Sequence, residues 1–354
     1  MLVELPLTEQ FVRGAVELET TTTGVLPHRL PAWARRQFPD PQLMTSEAQP
    51  SGVRIAFRGS ATGVELRVVA TRQSYPGVPP RPLGVYDLRI DGDLVGLTTA
   101  DEGRVVFTGL PAREKLVEIW LPHHEQTELV SCRVEGSAEP VLDGRPVWVH
   151  HGSSLSQGSN AASPSTTWPA VAAALTGHQL LNLGFGGGAL VDASTARVLR
   201  DLPADVLSVE LGINVVNADA MRMRAFTPAV HGFLDTVREG HPTTPLVVVT
   251  PLHCALHEET PGPGAFDLQA LAGGTVRFTA TGTPEPGRLT LSTARAELAR
   301  IVAQRQADDP NLHLVDGLEL FGAADEAEHP LPDALHLDAA SHLLVGERFA
   351  AHLR

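Results

Sequence analysis

Short apolar runs rich in β-branched residues alternate with turn residues through the first part of the chain. They span Val53 to Arg58, Val64 to Ala70, Val85 to Ile90, Arg104 to Thr108, Leu116 to Leu121 and Leu129 to Val134. Runs of this length, bounded by Gly, Pro, Asn and Asp, read as strands. Asp91-Gly92, set between Ile90 and Leu94, is a hairpin signal, because the favoured two-residue turn needs positive φ at its centre. Strands at this spacing predict an antiparallel β-sandwich over residues 1–142, with residues 76–82 as a proline-rich loop and no helix of convincing length.

Beyond Asp143-Gly144-Arg145-Pro146 the pattern changes. Strand-like Val147–His150, Leu180–Phe185, Val206–Leu211, Leu246–Thr250 and Leu312–Val315 alternate with helix-like Trp168–Leu175, Ala193–Leu202, Phe226–Glu239, Ser292–Gln306 and Ala339–Leu353. Apolar strands that alternate with amphipathic helices predict a parallel sheet covered on both faces, over residues 143–354. Ligands of such sheets bind outside the carboxyl ends of the strands, so chemistry is expected on the loops that follow them. One of these loops, His253 to Arg288, is long and rich in Pro and Gly, with a short strand predicted at Thr275–Thr279. It reads equally as a cover over the site or as a disordered insertion.

Composition narrows the partners. The chain has 354 residues and a formal net charge of −14, which argues against a nucleic-acid backbone or an anionic membrane as its main partner. The expected partner is a small molecule. Met1 to Pro6 carries neither a basic nor an apolar leader pattern, and no apolar run approaches the ~18 residues of a membrane span. A cytoplasmic location is the expectation. Cys132 and Cys254 fall in different halves, so neither a structural disulfide nor a zinc site is expected.

Four strand-end elements carry candidate chemistry. His151-Gly152-Ser153-Ser154-Leu155-Ser156-Gln157-Gly158 follows the first α/β strand and presents a hydroxyl, Ser154, at the sheet edge. Serine needs a base within hydrogen-bond reach to act as a nucleophile. Asp333-Ala334-Leu335-His336 follows the fifth strand, and a carboxylate three residues before a histidine can orient its ring. Asn182 to Ala189, with Gly184, Gly186, Gly187 and Gly188, follows the second strand and can aim backbone N–H groups at a developing oxyanion. A phosphate-binding reading of that turn fails for want of the P-loop lysine and spacing. Glu210-Leu211-Gly212-Ile213-Asn214 follows the third strand and offers a side-chain amide. Of the remaining residues, His253 is a candidate pocket wall, and Trp168 a core residue of the first helix that also stands as a possible pocket residue. His150 and His151 lie too close to the serine in sequence to serve as its base. His253 and His257 flank Cys254 without a third ligand at metal-binding spacing.

Taken in chain order, the turn serine, glycine, asparagine and Asp-x-x-His blocks of residues 145–354 resemble the SGNH hydrolases, the GDSL esterase/lipase family. The resemblance implies a flavodoxin-like sheet of order 2-1-3-4-5 and a serine mechanism that uses no cofactor. It implies Ser154 as nucleophile and His336 as base, with Asp333 as its partner. The oxyanion hole would be Ser154 N–H, Gly187 N–H and the Asn214 amide, with Gly186 and Gly188 as alternatives to Gly187. Two positions depart from the pattern: Ser153 stands where the Gly-Asp-Ser-Leu motif has aspartate, and Val215 where an aspartate usually follows the asparagine. Thr167-Trp168-Pro169 and Thr250-Pro251-Leu252-His253 are similar to a Gly-Ser-Ser subset. Gly84-Val85-Tyr86-Asp87-Leu88 resembles, more faintly, the β-sandwich module that precedes some members. The expected activity is carboxylic ester hydrolysis, on a glycoside or other small molecule. The alternatives are an acyltransferase that moves an acyl group from a thioester such as acyl-CoA to a natural-product hydroxyl, and a non-catalytic carbohydrate-binding protein.

Overall fold

The computed structural model describes residues 2–74, 77–142 and 144–353. Asp143, at the expected change of character, and Pro76, at the start of the proline-rich loop, lie outside the described residues, as does Met1. Two antiparallel sheets of six strands pack face to face. Leu66, Val68, Leu129 and Val134 of one meet Ile55, Phe57, Leu88, Val117 and Ile119 of the other in a closed core. Inward and outward residues alternate along Arg104–Thr108, as the period of two requires, whereas Arg54–Gly59 and Lys115–Trp120 are buried over most of their length. The six expected strands are present as Arg54–Gly59, Gly63–Thr71, Val85–Ile90, Arg104–Thr108, Lys115–Trp120 and Gln126–Glu135. Asp91 and Gly92 take φ of 51° and 95° in the expected hairpin turn, which pairs Ile90 with Asp93.

Two short helices, Ala32–Gln37 and Pro41–Glu47, leave the sandwich and pack on the second half of the chain. The Asp40 side chain accepts the Leu43 N–H at 2.8 Å and Pro41 fills the first helical position, which is why a helix of only two turns starts there. Leu30, Ala34 and Leu43 join the core of the parallel sheet rather than that of the sandwich.

The parallel sheet runs in the order 2-1-3-4-5. Its strands are Val147–Gly152, Gln179–Gly184, Val206–Glu210, Leu246–Val249 and Leu312–Val315. All four residues of Leu246–Val249 are buried, as a strand covered on both faces demands. Helices Trp168–Thr176 and Ala339–Ala350 pack together, and so do Ala193–Asp201 and Met223–Gly240. Because the chain leaves the first strand toward the second and later returns to the third, the loops after the first and third strands diverge and open a crevice.

Polar contacts lock the two halves together. Asp87 Oδ2 accepts the Ser163 and Ser165 hydroxyls at 2.6 Å each and the Ser165 N–H at 2.9 Å. Arg29, fully buried, donates to the carbonyls of Asn182 and Gly184 at the end of the second strand and to that of Ser46 in the helix Pro41–Glu47. Its ring partner is Phe185, 5.0 Å from the guanidinium carbon. Burial brings the Arg29 guanidinium down to about 9. Ser51 Oγ donates to the Gln157 carbonyl and accepts from Asn182 Nδ2, which fastens the sandwich to the loop after the first strand.

The long loop is ordered around a small hairpin, Gly264–Phe266 with Phe278–Ala280. The expected strand at Thr275–Thr279 is thus displaced toward Ala280. Cys132 lies in the sandwich and Cys254 in the core of the parallel sheet, and both are free.

Candidate active site

The first strand ends at Gly152, and Ser153 caps a one-turn helix, Ser154–Gln157, with its side chain accepting the Leu155 N–H. Ser154 is therefore the first residue of a helix, and its N–H has no intrahelical partner. Its Oγ stands 3.0 Å from His336 Nε2. The other ring nitrogen of His336, Nδ1, lies 2.8 Å from Asp333 Oδ2. Asp333 Oδ1 accepts the backbone N–H groups of Leu335 and His336 at 3.0 and 2.8 Å, so the Asp-x-x-His segment folds around its own carboxylate. Burial pushes the Asp333 carboxyl up, but the hydrogen bonds and charge of His336, with the Leu335 N–H, outweigh it and bring the group to about 2. The carboxylate is ionised at neutral pH and favours a proton on Nδ1, which leaves Nε2 to accept from the serine.

Three donors border the same space. The Asn214 side-chain oxygen accepts the Ala189 N–H at 3.1 Å, which turns its NH₂ toward the cleft. This bond fixes the amide although Val215 stands in place of the motif's aspartate; Val215 is buried in the apolar core instead. Within the glycine turn, the Gly186 N–H is committed to Gln157 Oε1 at 2.7 Å and the Gly188 N–H to the Phe185 carbonyl at 2.9 Å. Among the described residues the Gly187 N–H has no such acceptor. Gly187 sits at φ +71°, and a Cβ there would come within 2.9 Å of the Gln42 side chain, so glycine is required on both counts.

The cleft holds about 370 Å³ and is lined by Ser154, Gly187, Asn214 and His336 at its base. Gln42, Ser46 and Gln49 of the sandwich half form one wall, and Phe266 and Phe278 of the long loop the other. The Phe278 N–H donates to the Asp333 carbonyl at 2.9 Å, and its ring meets His336 edge-on at 5.5 Å. The loop is thus pinned over the histidine. Ser154 is 9% exposed.

The candidate pocket residues outside this constellation are placed differently. His253 is absent from the cleft lining: its Nδ1 pairs with Glu326 at 2.7 Å and its N–H donates to the Phe321 carbonyl. Trp168 is 1% exposed and lies in the core, its ring against His150 at 4.6 Å and Phe349 at 5.0 Å. His150 and His151 are both buried, with burial lowering their basicity, and neither reaches Ser154. No cluster of His, Cys, Asp and Glu able to hold a metal occurs among the described residues.

Sequence reasoning missed the supports. Gln42 Nε2 and Ser46 Oγ both donate to the Gly186 carbonyl at 2.7 Å, holding the glycine turn from outside. Gln157 joins that turn to Gln49 and to the His123 carbonyl. Glu210, buried at the end of the third strand, accepts the Ser153 N–H at 2.8 Å. For Glu210 a signal existed, since a carboxylate closing an apolar parallel strand is rarely buried without partners. For Gln42 and Ser46 there was none, because their helix is too short to show a period.

Comparison with known proteins places both halves of the chain. Residues 10–130 match the SsfX3 N-terminal domain. Residues 151–344 match the GDSL-like Lipase/Acylhydrolase family. No curated protein matches the chain in sequence. Among solved structures, a salicylyl-acyltransferase, SsfX3, from a tetracycline biosynthetic pathway is 29% identical at a TM-score of 0.84. That match covers 98% of this chain and 95% of the other. A GDSL-like lipase from Bacteroides ovatus is 18% identical at a TM-score of 0.71, over 100% and 96% of the two chains. A carbohydrate esterase family 2 enzyme with a carbohydrate-binding domain, from Corynascus thermopiles, is 16% identical at 0.61, over 89% and 96%. These last two share the fold. The family match takes in more than half of the chain, from His151 before the Ser154 turn to the helix that follows His336, and so this chain belongs to the GDSL-like lipase/acylhydrolase family as an enzyme of acyl transfer or hydrolysis.

Proposed function

We propose that the enzyme is a serine acyltransferase that moves an acyl group from a thioester or activated ester to a hydroxyl of a small molecule. One observation carries this reading. The end-to-end similarity to a salicylyl-acyltransferase takes in the sandwich module, and that module supplies a wall of the cleft over the serine. The sandwich half lines the cleft with Gln42, Thr45, Ser46, Gln49 and Gln73, hydrogen-bonding side chains that suit a hydroxyl-bearing acceptor, together with the cationic Arg81.

In this mechanism His336 Nε2 takes the Ser154 proton as Oγ attacks the donor carbonyl. The oxyanion accepts hydrogen bonds from Ser154 N–H, Gly187 N–H and Asn214 Nδ2. His336 returns the proton to the departing thiolate or alkoxide, and an acyl-Ser154 remains. It then deprotonates the acceptor hydroxyl, which attacks the acyl carbon, and the new ester leaves as Ser154 regains its proton. No bound cofactor enters; acyl-CoA would serve as a co-substrate. The two free thiols agree with a reducing compartment such as the cytoplasm.

Ester hydrolysis is the second reading, favoured by the shared fold of the carbohydrate esterase. In it water replaces the acceptor on the same acyl-serine. Incubating acyl-CoA and p-nitrophenyl ester donors with alcohol and glycoside acceptors, and following products by mass, separates the two. New esters that vanish in Ser154→Ala support transfer; free acid alone, with every acceptor, overturns it.

A further inference from the structure

We propose that Glu210 is a positioning residue for the nucleophile turn, holding Ser153 and Ser156 on either side of Ser154 from the neighbouring strand. This rests on the reading of Ser154 as nucleophile.

Glu210 Oε2 accepts the Ser153 N–H at 2.8 Å and the Ser156 hydroxyl at 3.3 Å. Glu210 is 1% exposed, and its Oε1 has no partner among the described residues. The approach depends on Gly152, where a Cβ would lie 2.2 Å from Ser156 Oγ and 2.8 Å from Glu210 Oε2. The turn itself carries Ser153 rather than an aspartate, so this carboxylate is supplied from a different strand.

A buried chain of hydrogen bonds shows how firmly the contact is directed. Trp148 Nε1 is a donor only, and it donates to Ser208 Oγ at 2.8 Å. The hydrogen of Ser208 then has His150 Nδ1, at 2.7 Å, as its acceptor among the described residues. His150, which burial keeps neutral, carries its proton on Nε2 and donates to Ser156 Oγ at 2.7 Å. Ser156 must send its own hydrogen onward, and Glu210 Oε2 receives it. The chain therefore ends on the carboxylate, which needs to act only as an acceptor. Burial raises the Glu210 carboxyl, and the bonds from Ser153 and Ser156 work against that rise.

An acceptor, not a charge, is what the turn requires, and this separates two substitutions. Glu210→Gln can set its carbonyl oxygen where Oε2 stands and keep both bonds. Glu210→Ala leaves a buried N–H and a buried O–H unpaired, and frees the turn to move Ser154 Oγ off the His336 axis.

The full-length enzyme and both variants would be labelled with a fluorophosphonate probe, the labelled residue located by peptide mass, and kcat and KM measured with p-nitrophenyl acetate. For folded Glu210→Ala we expect labelling and kcat to fall about 10- to 100-fold with KM within about threefold, as for a displaced nucleophile. Glu210→Gln should stay within about fivefold of wild type, with an unchanged pH–rate profile. Ala at the wild-type rate, or Gln as slow as Ala, overturns the proposal. If Glu210→Ala does not fold, Ser156→Ala tests the same contact: slower labelling at unchanged KM supports it, and an unchanged rate overturns it. Absence of label at Ser154 in the wild type would instead sink the nucleophile assignment.

Discussion

Replacing Asp333 by asparagine should be more damaging than replacing it by alanine. The two carboxylate oxygens hold different partners. Oδ1 accepts the Leu335 and His336 N–H groups, while Oδ2 accepts from His336 Nδ1 at 2.8 Å and from Asn160 Nδ2 at 3.3 Å. In Asp333→Asn the amide oxygen stays on the two backbone donors, since turning it would point an NH₂ at both. The NH₂ then faces His336 Nδ1, which can respond only as an acceptor. Its proton moves to Nε2, 3.0 Å from Ser154 Oγ, and that tautomer cannot take the serine proton. Fixing the wrong tautomer in a serine triad costs ~10⁴ in kcat, about 5.5 kcal/mol of barrier. Asp333→Ala removes the partner without imposing a tautomer, so part of the population keeps Nε2 free and the rate falls less. The assay is the single-turnover acylation rate with p-nitrophenyl acetate near neutral pH, corrected for folded fraction by thermal melting. An Asn variant within tenfold of wild type, or an Ala variant slower than the Asn variant, refutes the reasoning.

The same carboxyl sets an acid limit to stability. Lowered from 3.8 to about 2 on folding, it contributes stability that is complete above its unfolded value and lost as the pH falls from about 4 to 2. That contribution is about 2 kcal/mol, so urea midpoints of Asp333→Ala should depend less on pH in this window than those of wild type; parallel curves contradict it. Asn214→Ala should lower kcat by ~10²–10³ with little change in KM, the expected loss for one oxyanion donor, and a variant within threefold removes Asn214 from the hole. Ser46→Ala with Gln42→Ala frees the Gly186 carbonyl and should slow acylation about tenfold at a nearly constant melting temperature; an unchanged rate means the turn holds itself. Phe278→Ala uncovers His336, so the ratio of free acid to transferred ester should rise at fixed acceptor concentration, and a constant ratio would mean that the ring does not exclude water.

Legibility in the sequence followed how local each signal was. Leu246–Val249 was readable because a strand buried on both faces must be apolar throughout its length, whereas Leu312–Val315, an edge strand with His313 exposed, was readable from its place between two helix-like segments. Asp333 and His336 were readable because three residues separate them and the segment closes on its own carboxylate. Gly187 was ambiguous beside Gly186 and Gly188, since what distinguishes them is whether each N–H is already spent, and Gln157 and Phe185 decide that in three dimensions. The strands Glu17–Thr20 and Val25–His28 escaped because they are short and half-exposed, and Val25 finds its partner at Leu129, far along the chain. The start of helix Pro41–Glu47 was in fact written in Asp40-Pro41, a cap followed by a first-turn proline, but a helix of that length has no period to draw attention to it.

That short helix changes the standing of the sandwich. A detachable binding module would touch the parallel sheet only through its surface. Here Arg29 binds the carbonyls that end the second strand, Ser46 and Gln42 hold the glycine turn that follows it, and Gln49 reaches Gln157 behind Ser154. The proposed nucleophile, base and side-chain oxyanion donor come from the strand ends of the second half, but the Gly187 N–H proposed as their backbone partner is held in place from the first. A change in the sandwich at these positions therefore acts on the oxyanion geometry as well as on what enters the cleft, and kcat and acceptor choice should vary together when they are altered.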